Sequence, residues 1–482
     1  MTDRYIALFA LLIIPIANWQ RWILPTIPNY YLQHLLFYVC APMLLHAWWR
    51  GIWSPYDAWQ RARPMLPLLA VILPLQAYAF WMTAAQFAPE KPWMSVLASL
   101  LKLCSQLPFL LFFMEVCHVL VQEKAWRRNV LFGACGSFVA LITICTMQGI
   151  YIYAQDHGFI SAASLARYAE VLKHIASIFE SRWIGGVYDF YAKGTYALTV
   201  YRINGFFEEA SALASILGVF YIPLGIGLLH LGRHQHSQRT EWAGVAIVLV
   251  SCTAMVLARS STGLGLALVG MVLLGGSFTR KASPSISPHQ KYIATGGIVL
   301  TIILLGSIAV SVPSVSQFFV QRLNYGNIAH LPRVVVTREV LALAANHPLT
   351  GVGRGNISPH VLASDSFKEH AGKDTELSAW QQQGKLVILS VLPEALAEYG
   401  IPLVAAGMAL LARLWQHLRR LQQHSPHSAR LRFAATFCSA WCIMFLAASP
   451  GSHDIRNPLI SLPLFMLIAL VRTPLQARQA NS

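Results

Sequence analysis

Three glycines that alternate with other residues, Gly351, Gly353 and Gly355, form the turn in this sequence that most directly suggests a ligand site. Glycine lets the backbone approach a ligand closely and turn its N–H groups towards an anion. Arg354 adds a cation to the same turn. The pattern is not that of a P-loop, and no strand-to-helix unit of a nucleotide-binding fold surrounds it. An anion site and a tight structural turn both remain open.

Two arginines lie where the chain enters apolar sequence. Arg202 precedes Glu208 and Glu209 at the start of one apolar run, and Arg259 occupies a short connection between two others. Arginine at the centre of a membrane helix costs about 2.5 to 3.5 kcal/mol on insertion scales unless it is paired or faces water. Arg259 is therefore expected either to reach lipid headgroups or to bind an anion.

The composition is that of a membrane protein. Hydrophobic residues make up 56% of the chain and charged residues 12%, against about 25% charged in soluble domains. The formal net charge of +16 comes from short basic clusters between apolar runs, which indicates membrane topology and no nucleic-acid partner. The eight cysteines lie within apolar runs, so they predict neither a disulfide framework nor a zinc finger.

The apolar runs predict an all-α polytopic membrane protein with about 12 transmembrane helices, since a span needs about 20 residues. The runs lie near 5–19, 30–49, 64–85, 94–121, 129–154, 211–231, 242–258, 262–278, 292–312, 386–412, 432–448 and 457–471. The first run is followed too soon by another span to be typical of a cleaved signal peptide.

Basic clusters orient these spans. They occupy alternate connections, at Arg50 to Arg63, Lys124 to Arg128, Arg233 to Arg239, Arg280 to Lys291, Arg413 to Arg432 and Arg472 to Arg478. Because short cytoplasmic loops collect Lys and Arg, both termini are predicted to be cytoplasmic. Two large helical segments then lie on the outer, periplasmic side. The chain divides into 1–154, the outer segment 155–209, the spans of 210–312, the outer segment 313–385 and the C-terminal 386–482.

Both outer segments contain a predicted helix. In the first, 161–183 has an amphipathic pattern that indicates a helix on the membrane surface or on the bundle. In the second, helix is expected from Arg333 to Asn346, with Val336, Val340, Leu341 and Ala344 on one side. Pro348 ends it by disfavouring helix at the preceding residue.

Four short segments, taken in order, resemble the superfamily of O-antigen ligases and Wzy-type polysaccharide polymerases. Arg202 to Ser211 is similar to the family's Arg-x-x-Gly-x-Phe, and Ala258 to Gly263 to its Ser-Arg-x-Gly between consecutive spans. Arg333 to Gly355 resembles its Arg, helix and Pro-Leu-x-Gly-Val-Gly. Leu396 to Gly400 resembles the Leu-x-Glu-x-Gly that opens the following span. The likeness covers about 200–412.

The resemblance implies glycan transfer from a polyprenyl diphosphate-linked donor to a sugar hydroxyl, at the outer face of a bacterial inner membrane. The reaction would need no metal or other cofactor. By matching position, Arg202, Arg259 and Arg333 are the candidates for binding the diphosphate, with Arg354, Gly351 and Gly353 beside them. The implied partners are that donor, a glycan or lipid-linked acceptor, membrane lipids and a chain-length regulator protein.

The group that assists the acceptor hydroxyl is left open by the resemblance. The ligases commonly carry a His-Asn pair about eleven residues ahead of the glycine matched by Gly400, whereas this chain has Leu389 and Ser390. A carboxylate in a poorly solvated site gains basicity, and a positioned group can serve as base. The catalytic candidates are Glu208, Glu209, His347, Glu394 and Glu398, the last two at i and i+4 of one helix.

Three functions follow from this pattern. The acidic residues after Phe207, where the ligases often have Pro-Asn, favour a polymerase of O-antigen or exopolysaccharide. A ligase that transfers O-antigen to lipid A core is the alternative. A transporter of polysaccharide or lipid-linked sugar is a third, although the sequence lacks a convincing internal repeat. The outer-loop histidines have no metal-like spacing.

Overall fold

The computed structural model describes residues 35–122, 124–156, 210–258, 260–279, 332–384, 390–424, 428–449 and 464–469, with isolated residues between these ranges. In these ranges the regular secondary structure is helical, and no strand is present. The predicted all-α class is confirmed. The amphipathic helix predicted at 161–183 lies almost entirely outside the described residues.

Sixteen α-helices are numbered here in chain order. They are α1 Leu35–Trp49, α2 Pro55–Ala62, α3 Leu66–Phe87, α4 Pro92–Cys104, α5 Leu107–Gln122, α6 Lys124–Asp156, α7 Ala210–Ile216, α8 Ile222–His234, α9 Gln238–Leu257, α10 Ser261–Thr279, α11 Pro332–Asn346, α12 Ile357–Ala363, α13 Asp365–Ala371, α14 Thr375–Gln383, α15 Val391–His424 and α16 Ala429–Ala448. A 3₁₀ turn, Arg63–Met65, leads into α3, and a π-helical turn, Leu217–Tyr221, joins α7 to α8.

Seven helical stretches in the described residues are long and apolar enough to cross a membrane. They are Pro55–Phe87, Pro92–Leu120, Val130–Ile150, Ala210–His234, Gln238–Leu257, Val391–Leu421 and Leu431–Ala448, and Thr262–Phe278 is a shorter apolar helix. This is the pattern of a multi-pass membrane protein. Of the other predicted spans, 5–19 and 292–312 lie outside the described residues, whereas 30–49 and 457–471 are described only in part.

The centre of the bundle is formed by α8, α9, α10 and α16, which pack on one another. Small residues bring two of these helices close: a Cβ added to Gly244 of α9 would lie 2.4 Å from the carbonyl oxygen of Gly225 in α8. Close backbone approach at small residues is how membrane helices associate without a hydrophobic driving force between them. The glycines therefore fix α8 against α9.

The segment from α11 to α14 has a separate apolar core, formed mainly by Val336, Val340, Phe367 and Trp380. Ala397 of α15 belongs to the same core, so this segment packs on the first turns of α15. The helix predicted at 333–346 is confirmed. The placement of Leu341 on its apolar side is wrong, because Leu341 is 45% exposed and Val335 is buried instead.

The two ends of the bundle carry different features. At one end lie Arg233, Arg419 and Arg432, and we call this the basic end. At the other end the 351–355 turn, called the glycine loop below, packs on the first turns of α15. Glu398 and Arg419 are 21 residues apart, which corresponds to about 30 Å along a helix and to the thickness of a bilayer's hydrocarbon core.

Candidate functional site

The glycine loop occupies a break in α15. Gly400 has φ 75° and ψ 167°, which interrupts the helix, so Ala397 and Ile401 cannot make their usual helical hydrogen bond. The Ile401 N–H instead donates to the Pro348 carbonyl at 2.7 Å, and the Val352 N–H donates to the Ala397 carbonyl at 2.8 Å. The loop thus satisfies backbone groups that the break exposes.

A proline next to the break exposes one more carbonyl. The Glu398 carbonyl would normally accept from residue 402, but this residue is Pro402, which has no N–H. It accepts instead from the Gly353 N–H at 3.2 Å and from the Gln76 amide nitrogen at 3.1 Å. Gly400 and Pro402 therefore create the acceptors that bind the loop.

Three glycines are required at this junction because neighbouring atoms leave no room for a side chain. An added Cβ would lie 2.5 Å from the Ala397 carbonyl oxygen at Gly351, and 2.5 Å from Cδ1 of Phe80 at Gly353. At Gly400 it would lie 2.5 Å from the carbonyl oxygen of Leu349. All three glycines also have positive φ, which side chains rarely tolerate.

Every N–H of the glycine loop donates within the protein. Besides the two bonds above, the Gly351 N–H donates to the His347 carbonyl at 3.0 Å, and the Arg354 N–H to the Gln76 side-chain oxygen at 3.0 Å. The Gly355 N–H donates to a Glu398 carboxylate oxygen at 2.6 Å. The expectation that these groups are available to an anion is therefore wrong. Gly351 and Gly353 serve packing, and side chains must bind any diphosphate.

One face of α3 supports the loop, and sequence reasoning missed it. Gln76, Phe80, Thr83 and Phe87 recur every three or four residues and therefore share one face. The Thr83 hydroxyl donates to the Val352 carbonyl at 2.8 Å, and Gln76 is completely buried. Two polar side chains two turns apart in an apolar span were a usable signal, because such residues are costly in lipid without a partner.

Two histidines lie beside the loop. The rings of His347 and His360 are 5.7 Å apart, and His360 packs edge-on against Phe87 at 4.7 Å. Nε2 of His360 lies 3.1 Å from the Thr83 hydroxyl oxygen. Since the single hydroxyl proton is directed to Val352, Nε2 is the donor and Nδ1 carries the lone pair. Burial, followed by the nearby His347, lowers the pKa of His360 to about 4, so the ring is neutral near pH 7.

The depressed pKa of His360 predicts acid sensitivity at the loop end. Because its pKa falls from 6.5 to about 4 on folding, the unfolded chain takes up the proton first, and stability declines as pH drops from about 6.5 towards 4. Hydrogen exchange in residues 349–355 should quicken over this window. In His360→Gln the dependence should flatten, whereas the exposed control His417→Gln should leave it unchanged. An identical slope in both variants would assign the effect to another group.

The described charged candidates form two groups along α15, one near Ser390 and one at the glycine loop. Arg333 is half-buried in α11, one turn before Thr337, whose hydroxyl lies 3.5 Å from that of Ser390. Glu394, 7% exposed, follows Ser390 by one turn. Arg333 and Glu394 thus each lie one helical turn from the contact between Thr337 and Ser390.

Arg354 and Glu398 form the second group, at the glycine loop. Glu398 is 6% exposed and uses one carboxylate oxygen to fix Gly355, so its observed role is positioning. Arg354 is half-buried, and its guanidinium makes no hydrogen bond or ion pair with the described residues. It is therefore a cation available to a ligand beside the loop.

Arg202, Glu208, Glu209 and Arg259 lie outside the described residues, but their neighbours are placed. Gly205 is anchored to α6 by Gln148, which accepts from its N–H at 2.8 Å and donates to its carbonyl at 3.2 Å. Gly263, four residues after Arg259, packs on α7, where an added Cβ would lie 3.0 Å from the Cβ of Ala214. Of these two segments, the structure thus places Gly205 on α6 and Gly263 on α7.

The fold and the site define an all-helical protein with several membrane-length helices and a polar loop locked onto one end. Among the described residues, no three His, Cys, Asp or Glu side chains are grouped closely enough to hold a metal ion. Comparison of the sequence with protein-family models and with curated proteins found no match. The candidate site is therefore defined by the contacts of the glycine loop with α3 and α15.

Proposed function

We propose that this protein transfers a glycan from a polyprenyl diphosphate-linked donor to a sugar hydroxyl at the outer face of a bacterial inner membrane. The observation that carries the proposal is the interlocking of two segments that resemble the polymerase and ligase superfamily. Val352 and Gly353 bind the Ala397 and Glu398 carbonyls, and Gly400 packs on Leu349. Two of the segments that carry the resemblance are thus in direct contact.

The proposed chemistry is a substitution at the anomeric carbon. The acceptor oxygen bonds to that carbon, the bond from carbon to the phosphate oxygen breaks, and its electron pair leaves with the diphosphate. Guanidinium groups stabilise this developing charge through paired, charge-assisted hydrogen bonds. Arg333 and Arg354 supply two such groups at the loop end. Arg202 and Arg259 complete the proposed diphosphate site.

Glu394 is the described residue that we assign to the acceptor proton. It is buried and shares one face of α15 with Glu398, at the end where the glycine loop packs. Glu398 is assigned a positioning role, because one of its oxygens accepts from the Gly355 N–H. His347 is half-buried beside the loop and is the second choice. Glu208 and Glu209 stay as proposed bases in the neighbouring segment.

The position of the loop end supports an outward-facing site. It lies about 30 Å along α15 from Arg419, and it contacts the half of α3 remote from Arg61. If the arginine-rich connections are cytoplasmic, the loop end is periplasmic. The basic clusters on alternate connections of the sequence support cytoplasmic termini. Elongation of a lipid-linked glycan is favoured over transfer to lipid A core by the acidic residues after Phe207.

Turnover by purified protein tests this function. Reconstituted protein given a polyprenyl diphosphate-linked oligosaccharide should release polyprenyl diphosphate and extend the glycan into a ladder on a gel. Glu394→Gln should reduce turnover by about 10² to 10⁴ if it is the base. Donor binding should change little, because only the proton transfer is affected.

Glu369→Gln is the matched control, since Glu369 belongs to the same outer segment but is exposed and paired with Lys373. Transfer only after addition of lipid A core would identify a ligase. Absence of transfer with either acceptor, by folded protein, would reject the proposed function. Normal turnover by Glu394→Gln would move the base to His347, Glu208 or Glu209.

A further inference from the structure

A cavity of about 940 Å³ opens at the basic end of the bundle, between α8, α10, α15 and α16. Ile226 and Met408, about two and three turns before Arg233 and Arg419 on the same helices, and Val272 of α10 give it an apolar wall. Its other part is lined by Arg233, Arg419 and Arg432. The cavity is therefore amphipathic, with apolar side chains on one part of its lining and arginines on the other.

Arg233 is held in place by hydrogen bonds, but one of its nitrogens has no partner among the described residues. Its Nε donates to Glu241 at 2.9 Å, its Nη1 donates to the Ser277 carbonyl at 2.6 Å, and its guanidinium lies over the Phe278 ring. Only 10% of the side chain is exposed. Its Nη2 has no hydrogen-bond partner in the described part of the chain. A buried charged donor left unsatisfied is costly, so this atom indicates an acceptor from outside the protein.

A second arginine is fixed at the cavity by stacking. The Arg419 guanidinium lies 3.7 Å from the centre of the Trp415 ring, and the Trp415 indole N–H donates to the Ser439 hydroxyl at 2.8 Å. Arg432 of α16 and the histidines 230 and 234 of α8 also line the cavity, whereas no carboxylate among the described residues does so. The charge of the lining is therefore positive.

We propose that this cavity binds one anionic membrane lipid, with its phosphate at Arg233, Arg419 and Arg432 and its acyl chain along the apolar wall. A phosphate offers the acceptor oxygens that Nη2 of Arg233 lacks, and the chain covers surface that water would otherwise contact. About 30 Å of α15 separates this site from the glycine loop. The lipid site does not depend on glycan transfer.

Lipid titration of delipidated full-length protein, followed by native mass spectrometry, tests the site. Phosphatidylglycerol should bind at least about tenfold more tightly than phosphatidylcholine with the same acyl chains, because choline cancels the phosphate charge. Glycerol phosphate, which has no acyl chain, should bind more weakly than phosphatidylglycerol. Arg419→Gln and Arg432→Gln should each weaken phosphatidylglycerol binding about tenfold, because a charge-assisted hydrogen bond is lost.

Two matched pairs separate this site from general attraction to a basic surface. Arg413→Gln removes an exposed charge from the same helix as Arg419 and should leave binding unchanged. Gly276→Leu should block the lipid, since Gly276 lines the cavity and a Cβ added there would meet nothing within 4 Å, whereas Gly275, which does not line the cavity, should tolerate leucine. Equal affinities for the two phospholipids, or equal losses in Arg413→Gln and Arg419→Gln, would overturn the proposal. If glycerol phosphate bound as tightly as phosphatidylglycerol, the acyl chain would contribute nothing, and a lipid would be rejected as the ligand.

Discussion

Gly400→Ala is expected to detach the glycine loop from α15 and to lower the free energy of unfolding by about 3 to 5 kcal/mol. With φ 75° and ψ 167°, Gly400 occupies a region open almost only to glycine. Its new methyl group would also lie 2.5 Å from the Leu349 carbonyl oxygen. Because both partners are backbone, no side chain can rotate to relieve the clash.

Gly407→Ala provides the control on the same helix. An added Cβ there meets nothing within 4 Å, so this substitution should be neutral or slightly stabilising. Thermal unfolding in detergent and hydrogen exchange in residues 349–355 would compare the two variants. Equal stability of both would contradict the contact between the loop and the break in α15.

The loop's position was partly predictable from local sequence. The helix before it ends at Asn346, as Pro348 requires, and Gly400 followed by Pro402 marks the break that accepts it. Of the two alternatives for the glycine turn, the structure favours the tight structural turn over an anion site built from N–H groups. Glycine spacing alone cannot reveal whether those groups already have acceptors, and here the acceptors come from Ala397, Glu398 and Gln76.

The supporting residues of α3 were harder to predict, because they are far away in sequence. Thr83 bonds to Val352 across 269 positions, and Gln76 bonds to Glu398 across 322. Periodicity identifies the face that Gln76 and Thr83 share, but it cannot identify the segment packed against that face. The cavity at the basic end was hard to predict for the same reason, since its arginines come from three helices.

Glu398 illustrates how environment decides a residue's role. Sequence spacing made Glu394 and Glu398 equivalent, since both lie on one helical face. The break at Gly400 brings the loop onto Glu398, and the Gly355 N–H donates to one of its oxygens. Glu398→Leu, which removes this acceptor, should therefore disturb the loop as well as activity.

The second large effect is expected from Arg333→Ala, which should reduce glycan transfer by about 10² to 10³ at equal amounts of folded protein. Loss of one group that stabilises charge in the transition state typically has this cost. Arg333→Lys should recover little activity, because a lysine cannot make the paired hydrogen bonds of a guanidinium to a phosphate. Initial rates of polyprenyl diphosphate release would measure both variants.

Arg338→Ala is the matched control, because Arg338 belongs to the same helix, has the same charge and is exposed. It should retain ordinary turnover and the same thermal stability as Arg333→Ala. Addition of inorganic diphosphate separates binding from folding: it should slow transfer by the parent protein and by Arg338→Ala, and inhibit Arg333→Ala more weakly. If Arg333→Ala transferred glycan at the parent rate, the diphosphate would have to be bound by Arg202, Arg259 and Arg354 alone. Similar losses in Arg333→Ala and Arg338→Ala would instead point to the overall charge of α11.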